Sequence, residues 1–231
     1  MIIFSRFFAF IRRLKSAPQL TIDNLQFTII KMLSKACYNV ARRAKFGSYV
    51  FLLIFSSSIF AANFSSKATY EVCFTPDENC TSLVVNAINH AQHQILIQAY
   101  TFTSKPIYKA LFFAKRRDID VSALFDKSAL PTINDNFSIA DYFAGHGINT
   151  KIDYEPNIAH NKVMIIDNQT VITGSFNFTH AAQNDNTENL LIINDPTLAA
   201  KYLANWQQRE KKSISISEAK QKLGAENVNN S

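Results

Sequence analysis

The 231-residue chain reads as an α/β protein with one folded domain. The apolar periodicity alternates between 2 and 3.6 from about residue 70 to residue 212. Pro, Gly, Asn and Asp punctuate the runs, and no segment repeats another.

The elements follow in order. Tyr70–Thr75 is predicted as a strand, with Pro76-Asp77 as a turn. Thr81 or Ser82 is placed to cap a helix through about His93, since Leu83, Val84, Ala87, Ile88 and Ala91 fall on one face. Ile95–Tyr100 reads as a buried strand. Pro106–Arg117 reads as an amphipathic helix whose closing run Lys115-Arg116-Arg117 suits a helix C-terminus. Asp120–Phe125 is a third strand, Lys127–Asn136 a loop, and Phe137–Ala144 a short helix stopped by Gly145 and Gly147. Ile148–Asp153 is a fourth strand, and two more carry the segment His160–Ser175. Thr179–Gln183 starts a short helix, Asn189–Ile193 is the last strand, and Pro196–Lys212 is a closing helix carrying Trp206. The polar residues from Ser213 onward are expected to be a disordered tail. The expected division is a leader at 1–61, a catalytic domain at 62–212 and a tail at 213–231.

The formal charge of +6 suggests a polyanion partner, but its distribution weakens that reading. Residues 1–61 hold nine of the 24 Lys and Arg and only one acid, Asp23. Residues 62–231 then carry fifteen bases against seventeen acids, a balance of −2. Any phosphate must be held by a local cluster of cations.

The leader has the layout of a secretory signal: basic Arg42, Arg43 and Lys45, an uncharged apolar run over Tyr49–Phe60, and small residues at Ala61-Ala62. A start at Met32 would give it an ordinary length. The competing reading is an uncleaved anchor, because Phe46 to Phe64 is free of charge. Export places the domain in the periplasm or outside the cell; an anchor would place it at a membrane. Cys37 falls in the leader, which leaves Cys73 and Cys80 as a pair that an oxidising compartment would join. No second Cys or His pair has zinc-ligand spacing.

The chemistry concentrates in His160-Asn161-Lys162-Val163-Met164-Ile165-Ile166-Asp167, followed by Gly174-Ser175-Phe176-Asn177-Phe178-Thr179. On a strand, His160 and Lys162 share a face. A two-residue hairpin loop at Asn168-Gln169 would set His160 opposite Asn177, Lys162 opposite Ser175 and Gly174 opposite Val163. Four polar groups would then gather on one face. Lys162 supplies a compact positive charge, and Ser175 and Asn177 supply hydrogen-bond donors for phosphoryl oxygens. A neutral imidazole can attack phosphorus and a protonated one can supply the leaving group's proton. One histidine cannot be both at once. The chain holds a single H-x-K, so the chemistry implies a homodimer with the site on its axis. Glu188 is expected to orient the His160 ring, and Asp167 to be a structural turn residue.

These residues, with Gln98–Ser104 and Glu188–Leu191, resemble the phospholipase D superfamily, and within it the short single-motif exported bacterial endonucleases. The resemblance covers roughly Thr69 to Lys212. It implies a mixed β-sheet flanked by helices, a homodimer, and phosphodiester hydrolysis with no metal and no cofactor. His160 would be nucleophile or general acid, Lys162, Ser175 and Asn177 would bind phosphate, and Glu188 would be the orienting acid. Nucleic acid of low sequence preference is the expected substrate. A phospholipid such as phosphatidylcholine or cardiolipin is the alternative, and a non-catalytic binding module a third reading.

Overall fold

The computed structural model describes residues 63–131 and 138–229. The leader, and the loop residues 132–137, lie outside the described residues. Seven strands form one mixed sheet flanked by helices. In chain order they are β1 (Thr69–Phe74), β2 (Gln94–Ala99), β3 (Asp120–Phe125), β4 (Asn149–Ile152), β5 (Lys162–Ile166), β6 (Thr170–Gly174) and β7 (Asn189–Asn194). Across the sheet the order is β1-β7-β6-β5-β2-β3-β4. The β2, β3 and β4 pairs are parallel, whereas β2 with β5 and every pair out to β1 are antiparallel.

Six helices complete the unit: α1 (Cys80–His90), α2 (Lys105–Arg116), α3 (Ile139–Gly145), α4 (His180–Asn184), α5 (Pro196–Lys212) and α6 (Ile216–Asn229). Each start has a local cause. Asn79, rather than Thr81 or Ser82, caps α1, its Oδ1 accepting from the Ser82 N–H at 3.0 Å. Ser138 and Thr179 cap α3 and α4 in the same way. Asp195 caps α5 ahead of Pro196, whose fixed φ suits the first helical position.

The alternation of each strand divides the core into two layers. Ile95, Ile97, Ala99, Met164, Ile166 and Ile172 face α1, α2 and α3, which contribute Val84, Ile88, Ile107, Leu111 and Phe143. On the other face Leu96, Leu124, Val163, Ile165 and Val171 meet Ala199 and Trp206 of α5. Fully buried side chains such as Ile97 and Met164 each contribute about 1.5–3 kcal/mol of hydrophobic stabilisation. Phe102, Phe176, Phe178 and Trp206 are all core residues.

Two further expectations fail. The residues after Ser213 are not a disordered tail: Ile214 bridges Ile152, and α6 packs Ala219, with Ile216 and Leu223, onto the larger core layer. The spacing of Ile216, Ala219 and Leu223 is helical, although polar residues dilute it. The hairpin register also differs from the expected one. Ile166 pairs with Thr170 and Met164 with Ile172, so the turn is three residues, Asp167-Asn168-Gln169. Asp167 and Asn168 sit at φ 53° and 55°, a left-handed conformation that Asp and Asn tolerate well. The Gln169 N–H closes the turn onto the Ile166 carbonyl at 3.0 Å.

Cys73 and Cys80 form the expected disulfide, with Cα atoms 5.6 Å apart. It ties the end of β1 to the start of α1.

Candidate functional site

The site lies where β5 begins and β6 ends. His160 sits just before β5, and two anchors fix its backbone. The buried Asp126 carboxylate accepts from the Ala159 N–H at 2.7 Å, and the Asn161 carbonyl accepts from the Tyr100 N–H at 2.9 Å. The His160 ring is exposed on one side and packs on Tyr100 on the other, with ring centroids 4.7 Å apart.

Lys162 opens β5 opposite Ala99 and is 8 % exposed. Its Nζ lies 3.0 Å from both nitrogens of the His160 ring and donates to the His160 carbonyl at 3.2 Å. The Tyr100 ring lies 5.4 Å from the same ammonium, within cation–π range. Burial lowers the Lys162 pKa below the ordinary lysine value, and the negative charge of Glu188 opposes that shift. An ammonium has only protons to give, so a ring nitrogen that accepts one of them must itself be unprotonated.

The second half of the site follows Gly174. In the observed register, extended one pair, Lys162 falls level with Gly174 rather than Ser175, so the expected Lys162–Ser175 and His160–Asn177 pairs do not form. Gly174 does permit a close backbone approach, but against β7 rather than Val163. It pairs with Leu190 at φ 144°, and a Cβ there would stand 2.3 Å from the Asn189 carbonyl oxygen. The Ser175 and Phe176 N–H groups both donate to that oxygen, at 3.0 and 3.1 Å. Beyond it, Phe176 and Phe178 are fully buried, while Ser175 is exposed and Asn177 half-buried. The alternation in Gly-Ser-Phe-Asn-Phe-Thr is thus an anchor on one side and polar groups on the other.

Glu188 precedes β7. Its carboxylate accepts from the Ser175 hydroxyl at 2.5 Å and from the Asn186 side-chain amide at 3.1 Å. The expected hydrogen bond to the His160 ring is therefore replaced by one to Ser175, and Glu188 acts on the His160–Lys162 pair through its charge on Lys162. Asn177 Oδ1 is buried without a hydrogen-bond partner, an acceptor left open where polar groups gather. Asp167 is structural, at the far end of the hairpin, where it accepts from the Gln92, His93 and Gln94 N–H groups at 2.8, 2.8 and 2.9 Å.

Sequence reasoning passed over two residues that shape this site: Tyr100 and Asp126. Tyr100 and Asp126 directly follow the strands β2 and β3, where loop residues of α/β sheets commonly carry function. Lys127 stands beside them, but its ammonium lies over the Tyr154 ring at 5.4 Å.

The arrangement is an imidazole beside an ammonium, with a hydroxyl and a carboxylate next to them, open to solvent. The family described as cardiolipin synthase, PLD-like domain, matches residues 84–209, a span that contains all of these groups. The chain belongs to the phospholipase D-like family. It is a phosphodiester hydrolase with the mixed sheet of that family. It is similar to a phospholipase D of Rickettsia conorii, 43 % identical over 145 residues that cover 63 % of this chain and 71 % of the relative. The phospholipase D family member Nuc of Salmonella typhimurium superposes with a TM-score of 0.57 at 38 % identity, covering 64 % of this chain and 97 % of that one. A mitochondrial cardiolipin hydrolase of Xenopus laevis is 26 % identical over 118 residues, 51 % of this chain and 55 % of that protein.

Proposed function

We propose that the protein is an exported, metal-independent endonuclease of low sequence preference, acting as a homodimer through a phosphohistidine intermediate. The observation that carries this reading is the Lys162 ammonium 3.0 Å from the His160 ring. A phosphate oxygen drawn to that ammonium brings phosphorus within reach of an imidazole nitrogen. In the first step the nitrogen–phosphorus bond forms and the bond to the leaving alkoxide breaks, the alkoxide taking a proton from His160 of the partner subunit. Water then attacks the phosphohistidine, and the same partner imidazole accepts its proton. Lys162 neutralises charge on the phosphoryl oxygens and the Asn177 side-chain amide can donate to them, while Glu188 takes the one proton of the Ser175 hydroxyl and opposes the loss of charge on Lys162.

Export to the periplasm or the exterior is supported by the signal-like leader and by the Cys73–Cys80 disulfide. The 97 % coverage of the Salmonella protein Nuc supports a single compact catalytic domain. One observation favours the lipid reading. Phe64, Tyr70, Val72 and Phe74 are exposed large apolar residues, the last three alternating along one face of the edge strand β1, and Phe74 pairs with Asn189 beside Glu188. Such a row is suited to a membrane interface.

The deciding experiment assays one purified preparation on plasmid and single-stranded DNA with EDTA present, and on liposomes of phosphatidylcholine and cardiolipin. The nuclease reading expects DNA cleavage that survives the chelator. Turnover of liposomes alone would replace it with the lipid reading, and DNA cleavage abolished by EDTA would overturn the metal-free mechanism. A fully active monomer in sedimentation would overturn the shared site.

A further inference from the structure

Glu188 has a half-buried side chain on a short connection between α4 and β7, yet its carboxylate must be held to one position to act on Lys162. Its hydrogen bonds to Ser175 and Asn186 explain where the carboxylate goes. They do not explain what holds the backbone that carries it.

That backbone is held by the residue after β1. Thr75 is a polar side chain only 3 % exposed. Its hydroxyl donates to the Asn186 carbonyl at 3.0 Å and accepts from the Glu188 N–H at 3.1 Å. Its own N–H donates to the Glu188 carbonyl at 3.1 Å. Three bonds from one residue therefore grip the chain at 186 and 188. Asn186 closes the arrangement, because its side-chain amide reaches the Glu188 carboxylate.

Thr75 is itself well fixed. The Cys73–Cys80 disulfide spans it. Gln183 of α4 braces the same loop, accepting from the Thr81 N–H at 2.8 Å and donating to the Glu78 carbonyl at 2.9 Å. None of these Thr75 hydrogen bonds goes to His160, Lys162 or Ser175, and a buried hydroxyl with both its donor and acceptor capacity used is costly to lose.

We propose that Thr75 is a positioning residue for the reaction: its hydroxyl holds the Asn186–Glu188 backbone so that the Glu188 carboxylate stays aimed at Ser175 and near Lys162. The inference rests on the functional reading above and extends it to a residue outside the matched span of the family.

The test separates positioning from mere support. Lys162 is faced by the His160 ring, the Tyr100 ring and the Glu188 charge. Burial lowers its pKa and Glu188 counteracts that. A Glu188 that drifts away removes the counteracting effect, so the ammonium loses its proton at lower pH.

Rates are measured on bis(4-nitrophenyl) phosphate, whose 4-nitrophenolate leaving group needs no proton from the partner imidazole, from acid to alkaline pH, for the full chain and for Thr75→Val and Thr75→Ser, with His160→Ala as the control. Valine keeps the shape and removes both hydroxyl bonds; serine keeps the hydroxyl. Thr75→Val is expected to lower kcat about tenfold, as the loss of an outer hydrogen-bond partner does elsewhere, with KM little changed. It should also move the alkaline limb of the profile to lower pH, and Thr75→Ser should restore both. A Thr75→Val protein that melts lower but keeps the parent's alkaline limb would overturn the inference. Should valine prevent folding, Thr75→Ala removes the same two bonds with a smaller side chain and is judged by the same limb. If His160→Ala remains active, the reading of the site itself fails; if it is inactive while Thr75→Val behaves as the parent, only the role of Thr75 fails.

Discussion

The β5–β6 hairpin has two ends built from the same kinds of residue for opposite purposes. At the turn, the Asp167 carboxylate takes three backbone N–H groups of the chain entering β2. Burial works against its charge, but those bonds prevail and hold its pKa below the usual carboxylate value. At the open end, burial lowers the Lys162 pKa with Glu188 opposing the shift, Asn177 Oδ1 has no partner, and His160 and Ser175 face solvent. A fully satisfied polar cluster fixes a fold. One with unmet capacity is where a substrate can complete the hydrogen bonding.

The contrast can be broken most severely at His160. His160→Ala should lower turnover at least about a thousandfold, the scale expected when a nucleophile is removed. Because the ring is exposed, the melting temperature should stay near that of the parent. A variant with near-normal rate would place the chemistry elsewhere.

Next in size is the pair Cys73→Ser with Cys80→Ser. Opening this short loop should cost about 2–3 kcal/mol of stability in denaturant titration, and treatment of the parent with a thiol reductant should reproduce the loss.

Asp167→Asn should cost about 1–3 kcal/mol by the loss of charged hydrogen bonds, with the rate per folded molecule unchanged. The sign with pH follows from the lowered pKa of Asp167. Its contribution is present above the unfolded value and vanishes as pH falls through the folded value. The stability gap between parent and variant should therefore be full at neutral pH and close in strong acid.

The smallest effect sharpens the open end. Glu188→Gln removes the charge that opposes the lowering of the Lys162 pKa, so on bis(4-nitrophenyl) phosphate, whose leaving group needs no proton, the alkaline limb of the rate profile should move to lower pH. An unmoved limb would separate Glu188 from Lys162.

Much of this was readable from local pattern. Strand alternation placed His160 and Lys162 together, and apolar stripes located α1, α2 and α5, whereas α6 was missed because polar residues dilute its stripe. The register was not readable, because its cause is tertiary. Asp167 takes a left-handed conformation while its carboxylate reaches β2, seventy-odd residues away in sequence. The same holds for Glu188. The family resemblance, not spacing, marked it as an acid of the site, but its choice of Ser175 over the His160 ring depends on how β6 approaches β7. Thr75 gave no local signal, since nothing in Phe-Thr-Pro distinguishes a brace from an ordinary turn.

Gly174 joins those two matters. With the Asn189 carbonyl only 2.3 Å from where a side chain would begin, even alanine would wedge the two strands apart at the level of Ser175. The wedge would act on the hydroxyl, on the carboxylate it meets and on the sheet together. In a mutational scan, position 174 should therefore behave unlike its neighbours: no substitution there could trade foldedness against rate, because both would fall for the same mechanical reason.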